Sequence, residues 1–175
     1  DVPSVEIDDK LKQMLVDNSA DEEQISLMSE AVIVVDENDV EIVPSSKVAA
    51  HHQAGLLHRA FSVLLFDSNN RLLLQKRAED KVTFPGVWAN SCCSHPLYSD
   101  LEREIKDNLG VKRAAVRKLD QELGIQSEQL PIDSFHFITK MMYSSRMDED
   151  WIEREIDHVL MIKSKIFNRS RKIFI

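Results

Sequence analysis

The chain has 175 residues, 43% of them hydrophobic and 30% charged, with a net charge of −8. That is the composition of one soluble globular domain with a single core. It argues against nonspecific nucleic-acid binding, so an anionic ligand must be held by a local cationic cluster. No run approaches the roughly 18 apolar residues of a membrane span, and the start Asp1-Val-Pro-Ser4 is neither a basic secretory region nor an arginine-rich transit peptide. The only cysteines are the adjacent Cys92 and Cys93. A disulfide between neighbours is strained and closes no loop, which points to a reducing compartment, the cytoplasm first, with the peroxisome or another organelle as alternatives.

The acidic segment 1–23 has little period beyond Leu11, Met14 and Leu15, and reads as a short helix or an arm. Residues 31–36 and 40–43 are apolar runs around the turn-rich Glu37-Asn-Asp39, the pattern of a β-hairpin. A second hairpin is predicted from 59–66 and 71–77 around Asp67-Ser-Asn-Asn70. Ser99 and Glu102 have capping-box spacing, and 111–123 carries apolar residues at helical intervals before Gly124 ends it. Alternation over 135–143 and the apolar stretch 152–162 give two further strands. Strands outnumber helices and are joined by hairpins, so the predicted fold is α/β of the α+β type, a mixed sheet with flanking helices rather than a doubly wound parallel one.

Trp88-Ala-Asn-Ser-Cys-Cys-Ser-His-Pro96 places two thiols and an imidazole on one short loop. Upstream lie His51, His52 and His58; downstream, Glu153 and Glu155 alternate and so share one face of a strand. Three imidazoles and two carboxylates suit a divalent zinc, manganese or iron better than a thiolate site. A single histidine is more often a packing or surface residue than a ligand, and His52 competes with His51. Trp88 and Trp151 are pocket candidates, although tryptophans more often pack in cores.

Four motifs in order, Leu57-His-Arg-Ala-Phe-Ser62, Phe84-Pro-Gly-Val-Trp88, Asn90-Ser-Cys-Cys-Ser-His-Pro96 and Trp151-x-Glu-x-Glu155, resemble type I isopentenyl diphosphate isomerase, a Nudix-like fold. The likeness runs over about 24–161 and implies an arm at 1–23, an isomerase domain at 24–162 and a basic tail at 163–175. It implies a shift of a double bond between isopentenyl and dimethylallyl diphosphate, in isoprenoid biosynthesis. Within it, His51, His58, His95, Glu153 and Glu155 are metal ligands for zinc or manganese, and Glu122 holds a magnesium that bridges to the diphosphate. Lys47, Arg77, Lys81, Ser94 and Lys118 grip the diphosphate. Glu155, assisted by Tyr143, delivers a proton, and Cys93, chosen over Cys92 by the register Cys-x-His95, removes one. Against the family pattern Arg-Glu-x-x-Glu-Glu-x-Gly, Arg117, Glu122 and Gly124 are in place, while Lys118 and Gln121 replace two acids. Too few carboxylates remain for a diphosphate hydrolase. The family continues past Ile175 with a helical region carrying a Thr-Pro-Trp segment. This predicts slower turnover than in an extended form, apolar surface that favours self-association, and, as the alternative to an active isomerase, a non-catalytic short form.

Overall fold

The computed structural model describes residues 3–17, 20–79, 81–164 and 173–174. Two helices come first, α1 (Asp9–Asp17) and α2 (Glu22–Met28). The Asp21 side chain accepts from the Gln24 backbone at 2.8 Å, satisfying an otherwise orphaned N–H of the first turn of α2. The acidic segment is thus helical from Asp9 to Asp17, after an extended stretch that bridges Ser4 to Glu30, and Leu15 of α1 is fully buried with Met28, Val48 and Trp151 in a cluster apart from the main core.

The chain then forms β1 (Ala31–Val35), β2 (Glu41–Ser46), α3 (Lys47–His51) and β3 (His58–Phe66). Next come β4 (Leu73–Lys76), β5 (Trp88–Ala89), β6 (Cys92–Ser94) and α4 (Leu109–Leu123). The last elements are β7 (His136–Arg146), β8 (Ile152–Lys163) and β9 (Ile173–Phe174). Of the basic tail, residues 165–172 and 175 lie outside the described residues.

The main sheet runs β2-β1-β3-β8-β7, with β6 also on β3; a smaller sheet runs β5-β4-β9. Only β3 and β8 pair in parallel among the described strands, and the other neighbours are antiparallel. This is the expected mixed sheet. α4 packs on it, with Ala114, Ala115 and Leu119 joining Phe61, Val63, Leu65 and Leu160 in the main core. Gly124 closes α4 at φ 63, a left-handed conformation with no steric cost for glycine.

Two local expectations need correction. The turn at 67–70 forms, but β3 and β4 do not make a hairpin beyond the bridge Phe66↔Leu72. The edge of β3 at Phe61–Val63 is taken by β6, and the Ser91 hydroxyl stands between the strands, accepting from Leu65 N–H at 2.8 Å and donating to the Leu73 carbonyl at 2.7 Å. Ser99 Oγ does accept from Glu102 N–H, but no helix starts there. The Glu102 carboxylate instead receives Leu97 N–H at 2.7 Å and both guanidinium arms of Arg117.

One buried charge cluster ties the β1–β2 turn to the sheet. Asp39 takes Arg59 Nε at 2.7 Å, Lys140 Nζ at 2.6 Å and His158 Nε2 at 2.8 Å. Burial alone would raise its carboxyl pKa, but these three partners outweigh it and hold the group far below the usual range. A depressed folded-state value means that this stabilisation is complete above the unfolded value near ~4 and is lost as pH falls below it. Asp39→Asn, which tolerates the positive φ of 64 found there, should cost about 3 kcal/mol at neutral pH. The cost should shrink toward pH 3, as read by urea unfolding; an equal cost at both pH values would count against it.

Candidate active site

The site is built where β3, β8 and β7 lie side by side. His58, the first residue of β3, is the register partner of Glu155 on β8, and Glu155 is in turn the partner of Tyr143 on β7. His51 arrives from the end of α3, which Ser46 caps through Ala49 N–H. His95 follows β6. His51, His58, His95 and Glu155 are all buried, with one ligand atom each within 4.8 Å of the others.

The ring orientations explain what this group is suited to. Nδ1 of His51 is 2.8 Å from the Lys47 carbonyl and Nδ1 of His58 is 2.7 Å from the Leu56 carbonyl, so each ring donates there and turns Nε2 inward. The three Nε2 atoms lie 3.8, 3.6 and 2.9 Å from one oxygen, Glu155 Oε1. His58 Nε2 has no hydrogen-bond partner although it is buried. Inward ring nitrogens around a carboxylate are the donor set of a divalent cation, and the residues fit one. Glu153 stands outside this group of four: its carboxylate receives the Tyr143 hydroxyl at 3.1 Å, while the same hydroxyl reaches Glu155 at 2.5 Å.

The electrostatics follow from burial. Burial lowers the pKa of His51 and, more strongly, that of His95, keeping both rings neutral ligands. Burial pushes Glu155 upward, but imidazole N–H groups turned toward it, as at His95 Nε2 2.9 Å away, outweigh burial and hold the carboxyl well below its ordinary value. Burial and then Glu155 push Glu153 upward, and burial with both carboxylates raises Tyr143. Burial also pushes the Cys93 thiol up to about 12, with the Arg77 charge offsetting part of the effect.

A cavity of about 120 Å³ opens against this group. Cys93, Tyr143 and Glu153 line it beside Glu155, and so do the cations Lys47, Arg77, Lys81 and Lys118, with Ser94 and Glu122. Burial, then the charge of Lys118, lowers Lys47 to about 8. Glu122 accepts from Gln75 at 3.0 Å and pairs with Lys118 at 3.4 Å. All the expected site residues are thus gathered in or against one cavity.

Trp88 and Trp151 are not among its lining. Trp88 is 52% exposed on β5, and Trp151 is buried against Leu15, Met28 and Val48. The apolar wall comes from Leu27 and Met28 of α2 and from Val82, residues that sequence reasoning did not single out. Three apolar residues carry no chemical signature that could have flagged them.

The turn between His51 and His58 depends on Gly55, whose φ is 61 and where an added Cβ would lie 2.6 Å from Ile152 Cγ2. Gly55→Ala should cost about 2 kcal/mol of stability and weaken metal retention without touching a ligand. Metal titration and thermal unfolding of this variant check both; unchanged metal affinity would show that the turn does not set the histidine spacing.

A family model described as "NUDIX domain" matches residues 56–168. Curated isopentenyl-diphosphate delta-isomerases align with most of the chain. That of Gibberella zeae is 52% identical, covering 83% of this chain and 60% of its own. That of Schizosaccharomyces pombe is 50% identical, covering 83% and 67%. The chain belongs to the isopentenyl-diphosphate delta-isomerase branch of the NUDIX family. The enzyme of Bos taurus is 47% identical over 83% of this chain and 66% of its own, so the chain spans about two thirds or less of these relatives. The crystal structure of DR0079 from Deinococcus radiodurans shares the fold, with a TM-score of 0.54 at 16% identity, covering 83% of this chain and 76% of that one. In this family member the helix α4 keeps Arg117, whose guanidinium holds Glu102 and reaches the carbonyl of His95 at 3.2 Å. No helix among the described residues is long and apolar enough to cross a membrane.

Proposed function

We propose that this chain carries the site for interconverting isopentenyl and dimethylallyl diphosphate. The observation that carries the reading is one cavity with a thiol, a carboxylate–phenol pair and a group of cations, all lined by the residues the family motif marks. Lys47, Lys81 and Lys118 with Ser94 bind the diphosphate, and the apolar wall of Leu27, Met28 and Val82 receives the alkenyl end and excludes water from it. A divalent cation, zinc or manganese by its nitrogen-rich donor set, would be held by His51, His58, His95 and Glu155 and would polarise the carboxylate. Glu122 would take a magnesium at the diphosphate.

Protonating the alkene at one carbon gives a tertiary cation, and loss of a proton from the neighbouring carbon gives the isomer. Glu155 with Tyr143 handles the proton on one face and Cys93 on the other. At rest the thiol keeps its proton and Glu155 is ionised. For the isopentenyl-to-dimethylallyl direction Glu155 must first gain a proton and Cys93 lose one, after which Glu155 with Tyr143 delivers and Cys93 removes; the reverse direction exchanges the two roles. Free thiols at Cys92 and Cys93 agree with work in a reducing compartment, the cytoplasm by this reading. Incubating the protein with isopentenyl diphosphate in heavy water tests the reaction. Deuterium in the recovered diphosphates is the expected result, and hydrolysis to monophosphate without isotope uptake would favour a hydrolase instead.

A further inference from the structure

Arg77 follows β4 and lines the cavity, where the family resemblance makes it a phosphate ligand. Most of its guanidinium is turned elsewhere. Nε donates to the Phe84 carbonyl at 2.9 Å, and Nη2 donates to the Thr83 carbonyl at 2.6 Å and lies 3.4 Å from Thr83 Oγ1. Its own backbone N–H donates to the Val87 carbonyl at 2.9 Å. A planar fork with fixed spacing can hold two consecutive carbonyls at once; a lysine ammonium cannot do so in the same geometry.

The segment it holds is not relaxed. Phe84 has φ 48 and Gly86 φ 69, and the left-handed region is unfavourable for a bulky side chain such as Phe84. Phe84 N–H is tethered from the other side by Met147 Sδ at 2.9 Å, and Val82 packs into the cluster of Met28 and Trp151. Between these anchors, Lys81 and Val82 are presented to the cavity.

We propose that Arg77 is a positioning residue: it clasps the carbonyls of Thr83 and Phe84 so that Lys81 and Val82 face the cavity, and its effect on anion binding runs mainly through Lys81. The inference rests on the diphosphate reading given above. It differs from that reading in one respect that can be measured, since a point-charge contact would survive Arg77→Lys and a clasp would not.

The test compares the unaltered chain with Arg77→Lys, Lys81→Ala and the double variant. Backbone amide exchange over residues 81–86, measured without ligand, should quicken at least ~10-fold in Arg77→Lys, while protection in α4 stays unchanged and shows that the variant is folded. Affinity for inorganic pyrophosphate with magnesium should fall about 10-fold in each single variant and no further in the double one, because two residues acting through one contact are not additive. Unchanged exchange at 81–86, or a double variant whose loss is the product of the two single losses, overturns the clasp. If the unaltered chain binds no pyrophosphate, the diphosphate reading falls and takes the anion-binding half with it; the exchange comparison still decides whether Arg77 holds the segment.

Discussion

Replacing Cys93 by alanine should lower deuterium uptake from heavy water into isopentenyl diphosphate by about three orders of magnitude or more, with pyrophosphate affinity nearly unchanged. The thiol lines the same cavity as Glu155 and Tyr143, and burial keeps it protonated at neutral pH. Glu155→Gln should be as damaging, since an amide carries no ionisable proton and takes the negative charge away from the oxygen that three imidazoles approach. Cys92 makes a useful control. It is fully buried, outside the cavity lining, with its sulfur 3.7 Å from Glu122, and burial pushes its thiol well above the ordinary range. Cys92→Ala should therefore keep most of the exchange activity. Loss of exchange in Cys92→Ala with retention in Cys93→Ala would reverse the assignment.

Adding zinc or manganese at about a thousand times its dissociation constant should stabilise the chain by about 4 kcal/mol, and His58→Asn should abolish that gain. The asparagine amide can replace Nδ1–H as donor to the Leu56 carbonyl but offers nothing where Nε2 stood. Without metal the variant should lose no more than about 2 kcal/mol, the cost of a smaller side chain at a fully buried position and of a ring 3.6 Å from Glu155. Chemical unfolding with and without the ion separates these terms. Metal-dependent stabilisation that persists in His58→Asn would remove His58 from the ligand set.

Elements whose signal is local were legible in the sequence. The apolar period and Gly124 marked α4, and the β1–β2 turn, β7 and β8 followed from alternation and turn residues. Features that depend on a distant competitor were not. Residues 59–77 look like a hairpin because their own sequence says nothing of Cys92–Ser94, which claims the edge of β3. The Asp39 cluster joins residues up to 119 positions apart, and no period or spacing connects them. At the site, spacing alone put Glu153 and Glu155 on one face, whereas the choice of His51 over His52 and of Cys93 over Cys92 came from motif resemblance. Arg77 was recognised as a cation near the site, but its hold on Thr83 and Phe84 belongs to a loop conformation with two left-handed residues that composition does not reveal.

The parallel pairing of β3 with β8 bears on the order in which the molecule assembles. β7 and β8 can zip together as neighbours in the chain, and β1 with β2 likewise, but His58 meets Glu155 only when β8 docks beside a strand formed much earlier. Closing so long a loop is slow and is rewarded only at the end. Until then the early histidines lack their carboxylate. On a growing chain, His51, His58 and His95 would leave the ribosome well before their fourth partner, so tight ion capture should lag behind early chain collapse. In a refolding experiment, the appearance of a bound ion would mark the docking of β8.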